Sequence, residues 1–115
     1  MTIRIFHNPR CSKSRATLAL LQERGLEPEI TLYLDSPPEA AELRSILGKL
    51  DITARGLLRK GEPEYRELGL SDESLSEQAL ITAMTAHPKL IERPIVLANG
   101  RAALGRPPEA VLEIL

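Results

Sequence analysis

Apolar and polar positions alternate at the start of the chain. Thr2-Ile3-Arg4-Ile5-Phe6 reads as a short strand over residues 2–6. His7-Asn8-Pro9-Arg10 ends it, Asn8 and Pro9 being loop formers. From about Ser12 to Arg24 the pattern changes. Ala16, Leu18, Ala19, Leu20 and Leu21 predict a helix, with Gly25 as its stop. Residues 29–34, Glu-Ile-Thr-Leu-Tyr-Leu, alternate again and predict a second strand. Strand, loop, helix and strand in that order predict a parallel pair joined by a right-handed crossover.

Ser36-Pro37-Pro38-Glu39 has the signature of a helix start. Ser36 is the expected cap, Pro37 the first helical residue and Glu39 the partner in a capping box. The helix is expected to reach about Leu50, with Ala40, Leu43, Ile46, Leu47 and Leu50 on one stripe. A shorter helical piece is expected near Thr53–Leu58, and residues 59–75, charged and broken by Gly61 and Pro63, read as irregular. A further helix starts between Ser74 and Ser76, ends before Pro88 and buries Leu80, Ile81 and Met84. Ile95–Ala98 and Ala102–Leu104 read as two strands, and Asn99-Gly100 between them is a strong hairpin signal. Pro107-Pro108-Glu109 opens a last helix. The order is β-α-β, then helices, then a β-hairpin and a final helix. That predicts an α/β protein of one domain, residues 1–115, with a helical insertion at about 36–92.

Composition sharpens this picture. A chain of 115 residues is one domain by size, and 43% apolar with 27% charged residues is a globular composition. Only Phe6, Tyr33 and Tyr65 are aromatic, so the core is expected to be aliphatic. Fifteen basic and sixteen acidic residues give a net charge of −1, which argues against nucleic acid or an anionic membrane as partner. No apolar run is long enough to span a bilayer. The amino terminus enters a strand pattern and lacks a signal peptide's apolar stretch, so the cytoplasm is the expected location. Cys11 is the sole cysteine, which excludes an intramolecular disulfide. Only His7 and His87 could join it as soft ligands, so no metal site is expected. Redox chemistry would need a second thiol from outside.

Cys11 stands where the first strand hands over to the first helix. Lone cysteines are commonly small buried hydrophobes, but this position suits a ligand, beyond the carboxyl end of a strand. The first amides of the helix carry partial positive charge, and Arg10, Lys13 and Arg15 are close in sequence. A thiol with a pKa near 8.5 is only about 3% ionised at pH 7. Lowering that value by roughly two, a matter of about 2.7 kcal/mol, makes it mostly thiolate and hence a nucleophile.

The run His7-Asn8-Pro9-Arg10-Cys11-Ser12-Lys13-Ser14-Arg15 resembles the active-site loop of the glutaredoxin-coupled arsenate reductases. Leu57-Leu58-Arg59-Lys60, Glu92-Arg93-Pro94-Ile95-Val96 and Gly105-Arg106-Pro107 resemble later segments of that family, in the same order and at similar spacing. The likeness covers essentially the whole chain and implies a thioredoxin-like fold with a helical insert. It implies one essential cysteine, Cys11, and three oxyanion-binding arginines, Arg59, Arg93 and Arg106. It also implies a cis peptide before Pro94, which opens the third strand. The implied activity is reduction of arsenate to arsenite, with glutathione as co-substrate, glutaredoxin as partner and no bound cofactor.

Arginines suit this chemistry for reasons independent of the family. A thiolate approaching an oxyanion meets a repulsion of about 4 kcal/mol at 4 Å and an effective dielectric of 20. Guanidinium groups offset it with paired donors that stay charged. Arg93 and Arg106 also precede prolines, which biases both toward extended backbone. His7 either lowers the thiol pKa or orders the loop, or is a loop histidine bonded to backbone. Ser14 either donates to the thiolate or helps start the helix. Ser12-Lys13 departs from the smaller or neutral residues of well-known arsenate reductases and adds a positive charge. The Spx-type regulators that dock on RNA polymerase share the fold; many carry a second cysteine where this chain has Ser14. A regulator of that kind and a glutathione-dependent thiol reductase with another substrate are the alternative readings.

Overall fold

The computed structural model describes residues 2–115, which divide into two compact units. One comprises the chain up to Ser36 together with Arg93–Leu115; the other is Pro37–Glu92.

The first unit holds a four-stranded sheet in the order β2-β1-β3-β4. Strand β1 (Ile3–Phe6) pairs in parallel with β2 (Glu29–Thr31) across helix α1 (Ser12–Glu23). It pairs antiparallel with β3 (Ile95–Ala98), which continues as a hairpin into β4 (Arg101–Leu104). Asn99 and Gly100 both take positive φ, 55° and 72°, as a two-residue hairpin turn demands. Gly25, at φ 76°, ends α1. Ile3, Ile5, Val96 and Ala98 place one face of the sheet against Leu21, Val111 and Ile114, with Leu18 and Leu20 packed alongside. This cluster is aliphatic, and a fully buried leucine or isoleucine contributes about 1.5–3 kcal/mol; the core is not wholly aliphatic, since Phe6 and Tyr33 are buried too.

The second unit is helical. It contains α2 (Ala40–Leu50), α3 (Ala54–Leu57), α4 (Pro63–Glu67) and α5 (Glu77–Ala86), then a 3-10 turn at Pro88–Leu90. Leu43, Ile46, Leu47, Leu57, Leu80, Ile81 and Met84 are buried. Thr53 caps α3 by accepting the Gly56 amide, and Ser76 caps α5 by accepting the Ala79 amide at 3.1 Å.

Four expectations need correction. The second strand stops at Thr31 and does not run to Leu34, because the Leu32 carbonyl accepts the Asp35 and Ser36 amides at 3.0 and 2.9 Å and the chain turns. Ser36 caps nothing: α2 starts at Ala40 behind Glu39, whose side chain makes no capping bond. Ser36 and Pro37 each precede a proline, which disfavours helical backbone at both. Residues 59–75 are not wholly irregular, since Pro63 occupies the first turn of α4. The last helix is a 3-10 segment, Pro108–Ile114.

Candidate functional site

Cys11 is the N-cap residue of α1, with extended backbone (φ −93°, ψ 123°) and intermediate exposure. The loop before it is tightly bonded. The Asn8 carbonyl accepts the Cys11 amide at 3.0 Å, and Asn8 Oδ1 accepts the Arg10 amide at 3.0 Å. Arg15 reaches back from α1 to the Pro9 carbonyl at 2.9 Å. Asn8, read from sequence only as a loop former, is buried and ties this turn together.

Partial burial pushes the Cys11 thiol up, but four opposing influences together outweigh it. These are, in order, the Ser14 amide, the Arg93 side chain, the Lys13 amide and the Arg93 charge. The net result is a thiol below its ordinary value, by the means that a helix amino terminus and a cation offer a sulfur anion. Alkylation of Cys11 by iodoacetamide, monitored against pH, is therefore expected to have its midpoint below the free-thiol value of about 8.5. In denaturant the midpoint should return to that value; identical midpoints in both states would refute the assignment. The sign carries over to stability. A thiolate favoured in the folded chain contributes stability above the unfolded pKa, and the contribution fades as pH falls through the folded one.

Ser14 and His7 lie beneath the loop, both buried. His7 Nδ1 and Ser14 Oγ are 2.6 Å apart, and Ser14 Oγ also accepts the Asn8 amide at 3.0 Å. One proton lies between ring and hydroxyl, carried by one or the other. Burial, and after it the charge of Arg15, holds His7 below the usual imidazole range. It is thus the Ser14 amide that serves Cys11, while the Ser14 hydroxyl serves His7 and the loop.

Arg93 and Arg106 come from the two ends of the β3–β4 hairpin. Arg93 interacts with Cys11, and Arg106 Nε donates to the Arg93 carbonyl at 2.8 Å. Each precedes a cis peptide bond, Arg93–Pro94 and Arg106–Pro107. Gly105, a residue whose role the sequence reading missed, lets these parts approach. Its amide donates to the Pro94 carbonyl at 2.9 Å. A Cβ there would lie 2.6 Å from Pro94 Cγ and collide with Thr17 Oγ1 on α1. Thr17 Oγ1 is itself bonded to the Lys13 carbonyl at 2.8 Å, so it is not free to yield. Gly105→Ala is expected to cost about 2 kcal/mol by overpacking, read as a lower urea midpoint with unchanged slope. A glycine beside an Arg-Pro step at a strand end was the available signal.

Arg59 belongs to the helical unit. There its guanidinium meets Glu92 at 2.8 Å and Glu62 at 3.5 Å, and its amide donates to the Leu90 carbonyl at 2.8 Å. Among the described residues no helix is long and apolar enough to cross a membrane.

The sheet order, with a cysteine at the N-cap of the first helix and an arginine before a cis-proline strand, is that of a thioredoxin-like protein. The chain belongs to the ArsC family, whose model matches residues 6–114. It is 60% identical over 114 residues to Uncharacterized protein YfgD of Escherichia coli (strain K12), covering 98% of this chain and 96% of that one. Arsenate reductase of Neisseria meningitidis (strain MC58) is 54% identical over 114 residues, covering 98% of this chain and 97% of that protein. The solved structure titled "Arsenate reductase from Vibrio cholerae" superposes with a TM-score of 0.97 at 52% identity, covering 100% of this chain and 98% of that one.

Proposed function

We propose that this protein reduces arsenate to arsenite through the Cys11 thiolate. The observation that carries the reading is the Cys11 sulfur at the amino end of α1, held below its ordinary pKa by the Ser14 and Lys13 amides and by Arg93. Membership of the ArsC family and relatives named arsenate reductase at 54% and 52% identity supply the substrate.

In the first step the sulfur lone pair attacks As(V), an As–S bond forms and one arsenate oxygen, once protonated, leaves as water. The resemblance implies that glutathione attacks next, that a mixed disulfide forms at Cys11 and that glutaredoxin resolves it; the electrons balance in the following way. A glutathione thiolate attacks the Cys11 sulfur, and a disulfide forms. The As–S electron pair stays on arsenic, which leaves as As(III) in arsenite. Glutaredoxin then takes the glutathionyl group as its own mixed disulfide and returns the Cys11 thiolate. Arg93 and Arg106 hold the oxyanion and offset the charge that builds up as sulfur attacks. The resemblance assigns the third guanidinium to Arg59. Pro94, His7 and Ser14 support the loop and the strand that carry these groups. No bound metal or cofactor takes part, and the cytoplasm, where thiols stay reduced, is the compartment this chemistry needs.

The test is an assay of arsenite in the presence of arsenate, glutathione and glutaredoxin. Arsenite formation dependent on both thiol components is expected. No turnover by protein whose Cys11 is reduced and alkylatable would overturn the reading.

A further inference from the structure

A groove of about 320 Å³ lies in the sheet-containing unit, against the loop that ends on Cys11. One wall is His7 to Arg10; the other is Leu32, Leu34 and Asp35, from the turn after β2. The His7 amide donates to the Thr31 carbonyl at 2.9 Å and joins the two walls at their base. The Leu32 carbonyl, bonded to the Asp35 and Ser36 amides, fixes the second wall. Arg10 and Asp35 are exposed charges of opposite sign, and Leu32 keeps 42% of its surface exposed.

The proposed oxyanion has no use for this groove. Arg10 attracts an anion, but Asp35 repels one, and the two leucines offer an oxyanion nothing to bind. The volume is at the small end of the roughly 300–1,000 Å³ range of small-molecule clefts. What fits is a short ligand with both signs of charge and an apolar stretch between them. We propose that this groove holds the thiol co-substrate, a small zwitterionic thiol peptide of the glutathione class. A carboxylate faces Arg10, the ammonium faces Asp35, and the methylenes lie on Leu32 and Leu34. The proposal rests on the reading of Cys11 as a sulfur that reacts with an external thiol. Arg10, which lines the groove, is the residue before Cys11 in the chain.

The experiment needs neither arsenate nor turnover. S-Methylglutathione, which cannot react, is titrated into the Cys11→Ser protein and monitored by amide NMR shifts and calorimetry. Shifts at Arg10, Leu32, Leu34 and Asp35 are expected. Asp35→Asn and Arg10→Ala, each checked for an unchanged melting temperature, should raise Kd by about 3- to 10-fold, as exposed ion pairs allow. Removing the amino group of the peptide should weaken binding to the parent by a similar factor and leave binding to Asp35→Asn unchanged. Shifts confined to other surfaces, or a Kd indifferent to both substitutions, would overturn the assignment. A negative arsenate assay with this binding pattern intact would remove the substrate and leave the groove. Arsenate turnover with a groove that ignores the peptide would remove the groove alone.

Discussion

Cys11→Ser is expected to bring arsenite formation down to the rate of the mixture without protein, a loss of at least about 10³-fold in kcat. Two physical differences add up here. A hydroxyl titrates so far above a thiol that the Ser14 and Lys13 amides and Arg93 cannot ionise it at neutral pH. An oxygen also cannot form the disulfide through which electrons reach arsenic. Loss of folding would be a trivial cause, and the structure separates it. Position 11 is the N-cap of α1 and is only partly buried. Serine is among the preferred N-cap residues. The variant should therefore unfold at the same urea concentration as the parent or slightly above it. A serine variant that is stable and silent supports a sulfur nucleophile; appreciable arsenite from it would end the proposal.

Much of the sheet-containing unit was legible because its signals are local. Alternation marks Ile3–Phe6, the Asn99-Gly100 pair marks the hairpin, and Gly25 marks the end of α1. The helix expected to start between Ser74 and Ser76 starts behind Ser76, and the piece expected near Thr53–Leu58 starts behind Thr53, because a small hydroxyl beside a helical run has few other uses. Local rules competed and lost at Ser36-Pro37-Pro38, where the capping pattern was outweighed by the constraint that each proline puts on the residue before it. Tyr33 continues the alternation past Thr31 yet is buried beyond the strand end, so periodicity overran the turn. The site was legible in part. Cys11 stood out by position, and the arginines by resemblance. The roles of Asn8 and Gly105 depend on which backbone passes within bonding distance of them, and spacing along the chain does not encode that.

Arg93→Ala is expected to give the second-largest effect. The Arg93 side chain does two things that fail separately. It lowers the Cys11 thiol, both as a hydrogen-bond donor and as a charge. In the proposed reaction it also meets the oxyanion. Removing it should move the alkylation midpoint of Cys11 up toward the free-thiol value and lower kcat/KM for arsenate by about 10²- to 10³-fold, the usual cost of one lost transition-state donor. The Arg106 bond goes to the Arg93 main-chain carbonyl, so it survives the substitution and the second guanidinium keeps its anchor. Raising the pH tells the two losses apart. Above the shifted midpoint the alanine variant should alkylate as fast as the parent yet still reduce arsenate slowly, since thiolate has been restored and the oxyanion contact has not. Arg93→Lys keeps the charge and loses the paired donors, so it should recover most of the thiol shift and less of the turnover. An alkylation midpoint unchanged in Arg93→Ala would show that the helix amides alone hold the thiolate.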